Sequence, residues 1–295
     1  MSDYLEGFYI NLDSDRVRRE SLEQHLLGLG IDECYCRFPA ISPSQHQSLR
    51  GLGSLGELGI WNSTLYLLLK ISTEDGPPVV NVLEDDFRFG KYSPHYIEHI
   101  AGEMHSGSCK DIDIIFLDYF INDELMKLQL DSYNGLVPPD KYSAPLRIDG
   151  KSYLACLSSY LIKRSFAHSL LSLLLFIYTQ NSKLPPIDLA IRQLIGHGRI
   201  RANLVMPPLG CPDWTQDNES TVQIASMQED ELAGLRQSQR IFLLLRIACS
   251  GMESPSWCCK QLRGILGLHP SLGAEDSLES LLTLFLEVKP MLEIF

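Results

Sequence analysis

The stretch VVNVLEDDF, residues 79–87, decides the fold of this chain. Its first five residues are mostly β-branched or apolar, which is typical of a buried parallel strand in a sheet covered on both faces. Three carboxylates follow at once, namely Glu84, Asp85 and Asp86. The ligand crevice of an open α/β sheet lies at the carboxyl ends of its strands. A divalent cation holding a phosphorylated ligand would neutralise these acids, which repel one another when desolvated; the alternative is a solvated acidic turn.

The composition sets limits on function. The 295 residues carry a formal net charge of −12, which argues against bulk nucleic-acid binding because that needs a basic surface. The longest apolar stretch, residues 170–178, is far shorter than the ~20 residues that cross a bilayer. We therefore predict no transmembrane segment, and peripheral contact with a membrane stays open. The first residues are acidic where a secretion signal would be basic, so we predict a cytoplasmic protein with reduced cysteines.

Alternating strand and helix patterns predict the α/β class, with a mainly parallel sheet flanked by helices. The predicted strands cover residues 7–12, 34–41, 79–83, 111–119, 152–162 and 200–206. The first predicted helix follows the turn at residues 13–15 and has Leu22, Leu26 and Leu29 on one face, and the other predicted helices cover residues 57–72, 163–178 and 187–196. Residues 121–151 are rich in Pro, Gly and Tyr and predict a long loop region. Leucine-rich helical patterns begin near residue 227. We therefore predict a catalytic α/β domain at 1–226 and a helical C-terminal segment at 227–295.

Five short blocks occur in one order along residues 7–208. They are FYINL with Asp15-Arg16 and Arg18-Arg19, ELG at residues 57–59 with Ser63, LEDDF at 83–87, SYLI at 159–162 with Arg164 and Ala167, and PID at 186–188. In this order they resemble the blocks of family 25 glycosyltransferases, the relatives of lipooligosaccharide and collagen galactosyltransferases. The chain departs from that pattern at Ile60 and Thr64, where Cys and His are common, which leaves the donor sugar and the acceptor open.

The resemblance implies a GT-A-like fold and an enzyme of lipooligosaccharide biosynthesis or a related pathway. Such an enzyme moves a hexose, often galactose, from a UDP-sugar to a hydroxyl of a glycan, glycolipid or protein, and uses Mn²⁺ or Mg²⁺. We expect inversion at the anomeric carbon. Two other readings of the same residues stay open. One is a non-catalytic, glycosyltransferase-like binding or scaffold protein, and the other is a metal-dependent phosphohydrolase that uses the same acids.

The acidic triplet is similar to the metal-holding motif of such enzymes. A hard divalent cation keeps several waters, so one or two carboxylates and the diphosphate oxygens suffice as its other ligands. Side chains alternate along a strand, so Glu84 and Asp86 should point one way and Asp85 the other. We predict Asp86 as the metal ligand, with Glu84 as a second ligand or a donor contact. Asp85 is a further candidate for contact with the donor, or a structural acid.

Three further residues are predicted to bind the donor. Asn11 and Arg16 follow the first strand, where a nucleotide would lie in a parallel sheet. Arg16 could brace the diphosphate or stack on uracil, whereas the alternatives are turn chemistry for Asn11 and a solvated helix face for Arg16. Ser63 is a candidate only because it lies in one of the five matching blocks.

Two aspartates are predicted as the general base that takes the proton of the acceptor hydroxyl. The resemblance makes Asp188 a candidate general base, although an acid in the first turn of a helix also stabilises that helix without any catalytic role. Asp118, at the end of the strand DIDIIFLDY, is its rival. His197 could complete a metal shell or interact with helix-end carbonyls, and Trp214 could stack on a sugar or pack internally.

Overall fold

The computed structural model describes residues 3–42, 55–91, 93–120, 146–181, 184–206 and 208–213, together with six positions between 244 and 263. Most of the predicted loop at 121–151, Trp214 and nearly all of the predicted segment 227–295 lie outside the described residues. Two of the isolated positions, Leu244 and Cys258, are buried in the same hydrophobic core as the α/β part of the chain.

The described elements alternate between strands and helices. The strands are β1 (Leu5–Asn11), β2 (Tyr35–Pro39), β3 (Val79–Glu84), β4 (Phe87–Phe89), β5 (Ile114–Phe116), β6 (Leu146–Asp149), β7 (Ser159–Lys163), β8 (Ala202–Met206) and β9 (Gly210–Pro212). The helices are α1 (Arg16–Gly28), α2 (Leu55–Thr73), α3 (Ser93–Ser106), α4 (Arg164–Gln180) and α5 (Ile187–Gly196). None of the helices in the described ranges is long and apolar enough to span a membrane.

Seven strands form one sheet in the order β2-β1-β3-β7-β5-β8-β6. Strands β1, β2, β3, β5 and β8 point the same way, whereas β7 and β6 run antiparallel to their neighbours. The predicted α/β class with a mainly parallel sheet flanked by helices is therefore confirmed, and it is consistent with a GT-A-like arrangement. Strands β4 and β9 pair separately as a small antiparallel ribbon.

Strand β3 is the buried strand that its sequence predicts, lying between β1 and β7. Val80 and Val82 pack into the core on one face of the sheet, and Val79 and Leu83 pack into the core on the other. Each fully buried side chain of this kind stabilises the fold by about 1.5–3 kcal/mol. Asn81, the polar residue within the strand, accepts a hydrogen bond from the Tyr35 hydroxyl and donates one to the Tyr160 carbonyl.

Helices cover both faces of the sheet. Helices α2, α4 and α5 contribute residues such as Trp61, Leu170 and Ile191 to one core. Helices α1 and α3 contribute residues such as Leu22 and Ile97 to the other. Because apolar cores cover both faces of the sheet, polar side chains at the ends of the strands are the ones that can contact solvent or a ligand.

The predicted strand at 152–162 is wrong over its first half. A 3₁₀ turn occupies Gly150–Ser152, residues 153–158 are irregular, and strand β7 begins only at Ser159. The physical reason is the backbone of Cys156, whose φ of 88° is incompatible with an extended strand. This irregular stretch of residues 153–158 lies beside the acidic triplet and is called the linking loop below.

Candidate active site

The candidate site lies at the edge of the sheet where β1, β3 and β5 end and the antiparallel strand β7 begins. The backbone joins these ends directly, because the Glu84 amide donates to the Ser158 carbonyl at 2.9 Å and the Leu117 amide donates to the Ser159 carbonyl at 3.0 Å. Strand ends that are far apart in the sequence therefore present their next residues to one crevice.

The acidic triplet divides between two environments. Asp85 turns toward β1 and α1, where its carboxylate accepts a hydrogen bond from the Asn11 amide at 2.8 Å and lies 3.4 Å from the Arg18 guanidinium. Burial raises the pKa of Asp85, and the bonds from Asn11 and Arg18 oppose that rise. Asp85 is thus held by protein partners.

Glu84 lies on the other side, among further carboxylates. The pKa of its carboxyl is raised to about 8. Burial is the largest cause of the rise, and four negative charges add to it, in falling order those of Asp86, Asp85, Asp188 and Asp118. Glu84 keeps some exposed surface, but its carboxyl lies deep among protein atoms. The structure thus brings Glu84 and both predicted base candidates into one electrostatic cluster.

The two base candidates differ in exposure. Asp118 is fully buried, and one of its carboxylate oxygens accepts from the Ser158 hydroxyl and lies 3.5 Å from the Cys156 sulfur. Asp188 is half-buried in the first turn of α5, where it accepts from the Leu189 amide at 2.8 Å. Its other oxygen lies 3.4 Å from the Cys156 amide nitrogen. Of the two acids, Asp188 is the more exposed to solvent.

A buried arginine supports the triplet from behind. Arg88, in β4, donates to the carbonyls of Asp85 and Phe87 at 3.2 and 2.8 Å and pairs with Asp213 at 3.0 Å. The Asp213 amide in turn donates to the Asp86 carbonyl at 2.6 Å. Burial lowers the pKa of Arg88, while the charges of Asp213 and Asp86 oppose that change. Arg88 therefore fixes the backbone of the acidic turn and supplies a positive charge behind it.

Asn11 and Arg16, the two residues near β1 that are predicted to bind the sugar donor, lie in different surroundings. Asn11 is buried, and its side chain also donates to the Asp15 carbonyl at 3.0 Å and accepts from the Arg37 guanidinium at 3.1 Å. Arg16 is largely exposed and lies 3.7 Å from Glu20. The partly exposed guanidinium groups beside Asn11 and Asp85 are those of Arg37 and Arg18.

Ser63 and His197 are engaged in backbone hydrogen bonds. The Ser63 hydroxyl is buried in α2, donates to the Gly59 carbonyl at 2.7 Å and accepts from the Ile41 amide at 2.9 Å. It thus joins α2 to the chain that follows β2. His197 is exposed after the last turn of α5, and its amide donates to the Gln193 carbonyl at 3.0 Å.

The residues present fit a divalent cation of the kind that keeps several waters. Among the described residues, no group of three or more His, Cys, Asp or Glu side chains is arranged to hold a metal by itself. Mg²⁺ and similar ions are nevertheless usually held by one or two carboxylates plus substrate phosphates. Glu84 and Asp86 are the pair predicted for this role, and a cation between them would offset the charge of Asp86, which adds to the effect of burial in raising the pKa of Glu84.

Sequence reasoning missed four residues at this edge, namely Arg18, Arg37, Arg88 and Cys156. The sequence did contain a signal for Arg88. It lies between Phe87 and Phe89 and two residues after the three acids, so it indicates a buried cationic partner for them. No sequence signal indicated Cys156, because a left-handed backbone conformation is usually found at Gly or Asn.

Comparisons with known proteins are distant. No protein-family model and no curated protein matches the chain. Ten solved chains are similar in structure, one of them described as "Crystal Structure of A197 from STIV". That chain is 12% identical, the match covers 68% of this chain and 81% of that one, and the TM-score is 0.34. A likeness this distant leaves the function to be argued from the residues.

Proposed function

We propose that the protein is a metal-dependent glycosyltransferase that moves a hexose from a UDP-sugar to a hydroxyl acceptor with inversion. The observation that carries this proposal is the convergence of Glu84, Asp118 and Asp188 at the carboxyl edge of a mainly parallel sheet. Metal-dependent inverting transfer needs acids in two roles, holding a cation and taking a proton, and the acids at this edge are proposed for both.

The cation would be held by Asp86 and Glu84. When bound, Mn²⁺ or Mg²⁺ neutralises the diphosphate leaving group. The proposal agrees with the resemblance of the five sequence blocks to family 25 glycosyltransferases, which makes galactose the first donor sugar to test. A cytoplasmic location and a glycan, glycolipid or protein acceptor belong to the same proposal.

Asp188 is the proposed base. It takes the proton of the acceptor hydroxyl while the acceptor oxygen bonds to the anomeric carbon and the bond from that carbon to the diphosphate oxygen breaks, which releases UDP. Both acids accept hydrogen bonds from the protein, but the partial exposure of Asp188 lets an acceptor approach, whereas Asp118 is fully buried. Asp118 therefore acts as a support for the linking loop.

The proposed donor contacts are the two guanidinium groups at the end of β1. Arg18 and Arg37 are held beside Asn11 and Asp85 but remain partly exposed. A planar guanidinium binds phosphate oxygens in pairs and stacks on a base, so both groups suit a nucleoside diphosphate. Asn11 and Asp85 orient these groups, and Arg16 and Ser63 stay as further donor-contact candidates.

The test is donor turnover with purified protein, Mn²⁺ and a panel of UDP-, GDP- and CMP-sugars. We expect nucleotide release from a UDP-sugar by the wild type and loss of that release in Asp86→Ala. Asp75→Ala is the matched control, because Asp75 is an exposed acid in the turn before β3. The absence of both metal-dependent release and calorimetric donor binding would overturn the proposal. Donor binding without turnover, with any acceptor tried, would favour the scaffold protein.

A further inference from the structure

Cys156 occupies an unusual backbone position between the two aspartates. Its φ is 88°, and among the non-glycine residues in the described ranges it alone has a positive φ. A side chain with a Cβ adopts this region at an energetic cost, so surrounding contacts must hold it there. Among the described non-glycine residues, this conformation therefore occurs only at the candidate site.

The contacts of Cys156 point to both acids. Its amide nitrogen lies 3.4 Å from an oxygen of Asp188, and its sulfur lies 3.5 Å from an oxygen of Asp118. Its carbonyl accepts a hydrogen bond from the Tyr153 hydroxyl at 3.1 Å. One residue thus spans the gap between a buried acid just after β5, Asp118, and a half-buried acid on α5, Asp188.

The linking loop is anchored on both sides of this residue. The Tyr153 ring stacks on Phe116 with their centroids 4.0 Å apart, and the Phe120 amide donates to the Ala155 carbonyl at 3.3 Å. Ser158 accepts from the Glu84 amide through its carbonyl and donates to Asp118 through its hydroxyl. The anchors leave Cys156 little freedom to relax into an ordinary conformation.

We propose that Cys156 is a positioning residue that holds Asp188 relative to Asp118 through its left-handed backbone. The inference rests on the proposed function, because it says how the base of that reaction is oriented. A thiol is a weak hydrogen-bond donor, whereas a backbone amide is a strong one. The backbone conformation therefore carries the effect, so glycine at this position supports it and a β-branched residue does not.

The first test needs no substrate. Hydrogen exchange of the residue-156 amide is measured by NMR in the wild type, Cys156→Gly, Cys156→Val and Asp188→Ala. We expect exchange in Cys156→Val and Asp188→Ala to be about tenfold or more faster than in the wild type, and exchange in Cys156→Gly to stay within about threefold. Equal exchange in the wild type and Asp188→Ala, which leaves Cys156 intact, would overturn the inference.

The second test separates positioning from simple stability. We expect Cys156→Val to lower kcat by about tenfold or more with little change in KM for the donor, since small misplacements of a base are costly. Cys156→Gly should lose less than about threefold and melt a few degrees higher, because glycine relieves the strain. Cys36→Val is the control, since Cys36 is exposed on the edge strand β2.

The outcomes distinguish the two proposals. Equal losses of kcat in the glycine and valine variants would show that the thiol acts rather than the backbone, which overturns the inference about Cys156. A wild type that turns over no donor contradicts the proposed function alone, because the exchange of the residue-156 amide still decides whether Cys156 holds Asp188.

Discussion

Replacing Arg88 by methionine should destabilise the fold by about 4 kcal/mol. Removing one partner of a buried ion pair costs about 3–5 kcal/mol, because the other charge stays buried without it. The pair with Asp213 meets that condition, since the two side chains are only 6% and 8% exposed. Methionine fills part of the volume but replaces none of the bonds to the Asp85 and Phe87 carbonyls.

The measurement is reversible unfolding in urea at neutral pH, supported by thermal melting. A loss of this size should lower Tm by about 10 °C for a chain of this size. Arg16→Met is the matched control, because Arg16 pairs with Glu20 at the surface, where an ion pair is worth about 0–1 kcal/mol. The variant with both Arg88→Met and Asp213→Asn should recover about 1 kcal/mol or more relative to the sum of the single changes. Equal losses in Arg88→Met and Arg16→Met would refute the reasoning.

Three further predictions concern stability. Burial of His25, and after it the charge of Arg88, lowers the pKa of His25 to about 4. The free energy of unfolding should therefore fall by on the order of 2 kcal/mol as the pH drops from about 6.5 toward 4. His25→Gln should flatten this pH dependence in urea titrations. Asn81→Leu should cost about 2–4 kcal/mol in urea unfolding, because the Tyr35 hydroxyl is left buried without its acceptor. The raised pKa of Glu84 means that the folded protein favours the protonated carboxyl, so stability is lost as the pH rises from about 4.5 to about 8. Glu84→Gln should therefore raise Tm at about pH 8.5 but not at about pH 5.

Each of these predictions has its own contrary result. An unchanged pH slope in His25→Gln would mean that burial and the charge of Arg88 do not hold the His25 imidazole neutral. No gain from adding Tyr35→Phe to Asn81→Leu would show that the lost acceptor is not the cause. A Glu84→Gln variant that melts like the wild type at both pH values would show that burial and the neighbouring carboxylates do not disfavour the ionised Glu84.

The sequence predicted those parts of the fold that follow local periodicity. Strand β3 and helix α5 have apolar residues on regular faces, and both lie where expected. Helix α3 (Ser93–Ser106) was left unassigned although Tyr96, Ile97, Ile100, Ala101 and Met104 are all buried. That spacing is helical, so the signal was present in the sequence.

The site was predictable only in part. The predicted strand ends indicated that Glu84, Asp86 and Asp118 lie near one another, because acids directly after core strands meet at one edge of a sheet. The choice of Arg18 rather than Arg16 beside Asp85 depends on the rotation of α1 about its axis, which a short amphipathic pattern does not fix. The bridge that Cys156 makes depends on contacts with residues about 30 to 40 positions away along the chain. Tertiary packing sets such contacts.

The small ribbon of β4 and β9 determines where the chain can be shortened. The family resemblance covers the chain only to about residue 208, yet β9 and Asp213 lie beyond that point and hold the backbone of Asp86 and the guanidinium of Arg88. A fragment that stops at residue 208 would keep every predicted acid but lose the strand that braces them. Gly210 belongs to the same brace, because a Cβ there would lie 2.2 Å from the Arg88 carbonyl oxygen. The minimal unit for expression therefore extends at least through residue 213.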